Sequence, residues 1–160
     1  MLEIFAELFI GFTGFSGVIA ALRGGQNVQL SETDKARIMI LVSVSVMGIF
    51  ASLLPMLLEA ILGDTNWQLA NGILGFFMLG SAVVGILWVR QRGIDRSKEF
   101  SRFFGLIAGS VFLSITTILC ISGLDIGIQA SYGIYCLGLS TCLFICAGMF
   151  VLLIRLVVSA

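Results

Sequence analysis

From Ile38 to Leu62 the chain carries a single ionisable side chain, Glu59, among residues that are otherwise apolar or small. A run of that length cannot be hidden inside a soluble domain this small. It matches the roughly 20 residues a helix needs to cross a hydrocarbon layer about 30 Å thick. Four more segments read the same way, so the expected spans are 4–22, 38–62, 69–89, 103–124 and 132–154. Hydrophobic residues make up 59 % of the 160 and charged residues 11 %, against roughly 45–50 % and 25 % in soluble domains. Too little polar surface remains to keep a folded chain in water. Zero net charge and four cysteines also exclude a nucleic-acid binder and a disulfide scaffold. The fold class expected is therefore all-α: one transmembrane helical domain over residues 1–160, surrounded by lipid.

Lys and Arg are confined to alternate connections. Arg23, Lys35 and Arg37 follow the first span, and Arg90, Arg92, Arg96, Lys98 and Arg102 follow the third. Arg155 follows the fifth, while the second and fourth connections hold no base. All 9 basic residues thus fall on one side, which the positive-inside rule makes cytoplasmic. The N-terminus is expected outside and the C-terminus in the cytoplasm, as an odd number of spans requires. Met1 to Glu7 carries Glu3 and Glu7 and no base, unlike the basic start of a cleaved signal peptide. The first helix is expected to be retained. The cluster Arg90, Arg92, Arg96, Lys98 and Arg102 offers a place for anionic lipid headgroups, although setting the topology alone accounts for it.

Local signals mark the helix ends. Gly24 and Gly25 can close the first helix, Gly63 the second and Gly93 the third, because glycine accepts the left-handed backbone of a C-cap. Ser31-Glu32-Thr33-Asp34 resembles a capping box, which starts the second helix near Glu32, before it enters the membrane. Thr65-Asn66-Trp67-Gln68 reads as a T-x-x-Q capping box for the third. Asp95 can cap the fourth helix and Ser131 the fifth.

Much chemistry is absent. The chain has no histidine, hence neither the commonest zinc ligand nor the commonest general base. Both lysines lie in connections, and no phosphate loop or hydrolase motif occurs. No enzyme and no cofactor is expected. Cys120, Cys136, Cys142 and Cys146 all lie within spans. They read as small packing residues, with a soft-metal site at Cys120, Cys142 and Cys146 as the alternative. No metal is expected.

Two polar stripes remain. On the first helix Glu3, Glu7, Gly11, Gly14, Val18 and Ala21 share one face, while Phe5, Leu8, Phe9, Phe12 and Ile19 share the other. The small-residue face is expected to pack on protein and the aromatic face to meet lipid. On the second helix Ser45, Gly48, Ser52, Pro55 and Glu59 align. Pro55, the one proline, removes a hydrogen bond to the Ala51 carbonyl and is expected to kink the helix. A hydroxyl such as that of Ser52, a neighbour or water must then satisfy that carbonyl. Antiparallel spans put Glu7 and Glu59 at similar depth. They would form an ion- or proton-handling site near the outer mouth, with a shared proton if they meet. The plainer alternative has both reaching interfacial water or accepting hydrogen bonds from Thr13, Asn66 or Asn71. Gly105-x-x-x-Gly109 matches a close-packing motif for the fourth helix. Hydroxyls on the fourth and fifth helices are mostly read as part of tight packing, with a hydroxyl-lined path between them as the lesser reading.

The run Leu8-Phe9-Ile10-Gly11-Phe12-Thr13-Gly14-Phe15-Ser16-Gly17-Val18, followed by a basic connection and a helix opening at Ser31-Glu32-Thr33-Asp34, resembles a group of small bacterial multi-span inner-membrane proteins. These carry an F-x-G-F-x-G-V first helix. The likeness covers roughly the first sixty residues. It implies a bacterial inner-membrane location and brings no activity and no site residues.

The function expected is channel-like or transport-related. Glu7 and Glu59 would draw cations or protons to the outer mouth, and Ser45 and Ser52 would continue the path inward past Pro55. The alternative is a non-conducting structural or accessory subunit docked by its glycine faces. Either way the partners are the bilayer and a second membrane chain, of the same or another kind.

Overall fold

The computed structural model describes residues 2–25, 32–91 and 102–158. They form five helices: α1 (Leu2–Gly25), α2 (Glu32–Leu62), α3 (Trp67–Gln91), α4 (Arg102–Gly123) and α5 (Tyr132–Val158). No strand occurs among the described residues. The all-α class is as expected, and each helix runs a little past or close to its expected span. Four contain stretches long and apolar enough to cross a membrane: Leu2–Ile19, Ile38–Leu62, Trp67–Val84 and Tyr132–Ile154. In α4 the apolar stretch is shorter, Gly109–Gly123. The chain is thus a helical membrane protein.

The helix ends follow from local chemistry. Gly63 closes α2 with φ +77°, and its N–H donates to the Glu59 carbonyl at 2.9 Å. The expected cap of α3 moves by one residue. Asn66 Oδ1, rather than the Thr65 hydroxyl, accepts from the Leu69 N–H at 3.0 Å. The spacing from 66 to 69 suits a cap bonding the third residue of a helix, and asparagine ranks above threonine there. Thr65 turns away and donates to Glu59 Oε2 at 3.4 Å. Ser131 caps α5 as expected, accepting from the Ile134 N–H at 3.4 Å. Ser31, Gly93 and Asp95 lie outside the described residues.

The C-terminus of α4 is closed without a glycine at its left-handed position. The Ile126 N–H donates to the Ile121 carbonyl at 3.1 Å and the Asp125 N–H to the Ser122 carbonyl at 3.3 Å. That pair of bonds is the Schellman pattern, which needs a left-handed residue at its turning point. Asp125 takes that place with φ 58°, a conformation aspartate tolerates better than most side chains.

Tertiary contacts divide the chain into two compact units. The first comprises Met1–Leu53 and Cys142–Ala160. Its core holds Phe9, Ile19, Leu41, Cys142, Cys146 and Leu153 with the buried hydroxyls Ser16, Ser45 and Ser52. The Phe9 ring seats on α2 where residue 48 has no side chain, so a Cβ at Gly48 would lie 2.5 Å from ring carbons. Phe12 and Phe15 each meet Phe150 edge-on, with ring centroids 5.6 Å apart.

Within the single chain these contacts bury the aromatic side of α1, which was expected to meet lipid. Phe9 and Ile19 are buried and Phe5 and Phe12 half-buried; of the aromatic-side residues only Leu8 stays exposed. Glu3, Glu7, Gly11, Gly14, Val18 and Ala21 are all exposed in the single chain. The reason is that lipid is as apolar as any side chain. Between spans, fit decides which face packs, and a ring fills the hollow over Gly48 better than another small residue would.

The second unit is Leu54–Thr141, centred on Ala70, Asn71, Leu74, Met78, Thr116, Leu119, Ser122, Tyr135 and Leu139. Here α3 and α4 approach backbone to backbone. A Cβ on Gly123 would collide with the Gly72 Cα, and one on Gly75 would lie 2.9 Å from the Cys120 backbone nitrogen. A Cβ on Gly138 of α5 would lie 2.8 Å from Leu119 Cδ1. The close-packing positions are therefore Gly72, Gly75 and Gly123. Gly109 has nothing within 4 Å of a built Cβ, and Gly105 lies outside the residues whose surroundings are described.

Gly123→Ala should lower stability by about 1–3 kcal/mol through overpacking, read as a shift in detergent or thermal unfolding. Gly72→Ala should be tolerated, because its Cβ would sit 3.5 Å from the Gly123 Cα, an ordinary contact. The cap makes a second test in the same assay: Asn66→Ala should cost about 1 kcal/mol, and Thr65→Ala less than about 0.5 kcal/mol.

Candidate functional site

The two carboxylates singled out by sequence belong to different units. Glu7 lies on α1 one turn after Glu3, and both are exposed on the face that carries Gly11 and Gly14. Among the described residues, no atom other than α1's own neighbouring backbone comes within 4 Å of a Cβ built on Gly11, Gly14 or Gly17. An acidic, ridge-free strip thus runs along α1, with nothing among the described residues packed against its glycines.

Glu59 lies in the last turn of α2, exposed, where Oε2 accepts from the Thr65 hydroxyl at 3.4 Å. Asp64 beside it accepts from the Thr65 N–H at 2.7 Å. Of the donors suggested for the carboxylates, Thr13 and Asn71 are engaged elsewhere, and Asn66 is bonded through its oxygen. The Thr13 hydroxyl donates to the Phe9 carbonyl at 3.0 Å. Asn66 caps α3, and Asn71 bonds α4 and the start of α5.

Ser45 and Ser52 lie in the first unit, fully buried. Ser45 Oγ stands 3.5 Å from Cys146 Sγ, a hydrogen bond in which either group can be the donor. The Ser52 hydroxyl donates to the Gly48 carbonyl at 2.7 Å. It is therefore not the group that answers the carbonyl freed by Pro55, contrary to one of the expected arrangements. Pro55 sits inside α2 without ending it.

Most other hydroxyls behave like Ser52. Thr116, Thr117, Ser140 and Thr141 each donate to the carbonyl four residues back, at 2.8–2.9 Å. A hydroxyl tied to its own helix has its proton committed, which disfavours the hydroxyl-lined path between α4 and α5. The free thiols Cys142 and Cys146 are buried. Among the described residues no three Cys, Asp or Glu side chains gather to hold a metal.

One polar centre was missed. Asn71, wholly buried, donates from Nδ2 to Ser122 Oγ and to the Ser131 carbonyl, both at 3.4 Å. Nearby α3 and α5 begin with ring contacts: Trp67 meets Tyr132 at 5.3 Å and Tyr135 at 6.0 Å between centroids. The signal was available, since a carboxamide inside an apolar span has to find partners.

Of the basic cluster, Arg92, Arg96 and Lys98 lie outside the described residues. Arg90 falls in the last turn of α3 and Arg102 is the first residue of α4.

Compared with known protein families, curated proteins and solved structures, the chain shows no significant match. Function must therefore be argued from these residues.

If Glu7 and Glu59 serve function rather than folding, Glu7→Gln and Glu59→Gln should each leave unfolding of the purified protein within about 0.5 kcal/mol. A larger loss would mark the carboxylate as structural.

Proposed function

We propose that this is a five-span protein of a bacterial inner membrane, N-terminus outside, which works by assembling with a second membrane chain through α1. The observation that carries this reading is the uncovered strip Glu3, Glu7, Gly11, Gly14, Val18 and Ala21. A carboxylate turned toward hydrocarbon is costly, and glycine gives lipid tails little to pack against. Both penalties vanish when another helix lies along the strip. The confinement of all 9 bases to alternate connections supports the orientation.

The nature of the partner separates two functions. If a second copy covers α1, copies of Glu7 line a shared interior near the outer surface. The protein is then channel-like, its mouth attracting cations or protons. The acid-only outer connections, with Asp64 and Asp125 and no base, favour that reading. If a different chain covers α1, the protein is a non-conducting accessory subunit. Ser45 and Ser52 have no part in either, because their hydroxyls are buried and engaged.

A photo-crosslinking side chain placed at residue 14 should form a covalent adduct in native membranes on illumination, while one at residue 76, on an exposed face of α3, should not. An adduct of twice the chain's mass supports self-assembly; Glu7→Gln should then cut cation flux in liposomes. A heavier or lighter adduct supports the accessory role. No adduct at residues 11, 14 or 18 overturns the assembly reading. Reporters fused after Asp64 and Asp125 should report an exported location, and a cytosolic signal from either would overturn the orientation.

A further inference from the structure

Asn71 holds an acceptor that the described residues leave without a donor. Its side chain is 0 % exposed, and Oδ1 is buried with no hydrogen-bond partner among the described residues. The carboxamide cannot be cured by turning it over. Reversed, its oxygen would face the Ser131 carbonyl, acceptor against acceptor, and the NH2 group would be stranded instead. The Ser131 carbonyl is in any case fully used, since it also accepts the Tyr135 N–H at 3.2 Å. Ser122 Oγ accepts from Nδ2 at 3.4 Å, which leaves the Ser122 hydroxyl proton to be donated elsewhere.

We infer that Asn71 Oδ1 and the Ser122 hydroxyl together hold one buried water molecule. The water donates to Oδ1 and accepts the Ser122 proton. The requirement is a donor, because the orphan atom is a carbonyl oxygen. The donor is small, because Oδ1 is sealed from the surface. It is neutral, in keeping with the hydroxyl and the carbonyl that Asn71 already bonds. Water meets all three conditions, with the two polar partners a buried water needs. It joins α3 to α4, while Nδ2 joins both to the residue that caps α5. The site is independent of the α1 strip and stands or falls without it.

The test is direct detection in the intact protein, labelled with 15N-asparagine in lipid nanodiscs. The Asn71 carboxamide protons should show a cross-peak to water with the sign of a long-lived complex. Asn66, exposed at the start of α3, should show only rapid exchange. In Ser122→Ala, which keeps Oδ1 but removes the second partner, the Asn71 water cross-peak should fall at least twofold. Absence of a water cross-peak in the unmodified protein overturns the site. An unchanged cross-peak in Ser122→Ala overturns the bridging geometry.

Discussion

A helix that crosses hydrocarbon has no bulk water to lean on. In the hydrocarbon layer each N–H and C=O must find its partner inside the chain, at a cost of several kcal/mol for each failure. That requirement makes every long apolar segment a helix. It also explains how the hydroxyls behave: Thr13, Ser52, Thr116, Thr117, Ser140 and Thr141 all close on the preceding turn of their own helix. Side chains so occupied cannot hold helices together. The holding is done by close approach, backbone on backbone between α3 and α4 at Gly72 and Gly123, and ring on backbone between α1 and α2 at Phe9 and Gly48.

The sequence is a good guide wherever one residue's chemistry settles the outcome. The apolar runs locate the helices, Gly63 supplies the left-handed stop, and Ser131 caps α5. It fails wherever two chemistries that lipid treats alike must be told apart. On α1 the glycine strip and the aromatic strip are both compatible with lipid and with protein, and only the hollow over Gly48, on another helix, decides which one packs. Gly105-x-x-x-Gly109 has the same weakness. A spacing says that two helices can approach; Gly109 has nothing opposite it among the described residues, whereas Gly72, Gly75 and Gly123 approach because their partners stand opposite.

The candidate site was legible by residue type and illegible by placement. Glu7 and Glu59 stand out in any reading, since carboxylates are rare in spans. That Glu59 engages Thr65, while Glu7 has a bare glycine strip for company, depends on how the turn after α2 folds and on which side of α1 faces inward. Ser45 and Ser52 were read as a path because they align with Glu59. Alignment along a helix does not distinguish a lining face from a packed one, and theirs is packed in the core of the first unit.

The seat of Phe9 on Gly48 makes two distant positions share a single volume. Neither can drift alone: any side chain at 48 must displace the ring, and any smaller group at 9 leaves a hole that lipid tails cannot enter. The accessible route between sequences runs through paired exchange, a slighter residue on α1 matched by a bulkier one on α2, so the register of these helices is recorded as a sum of sizes rather than as a motif.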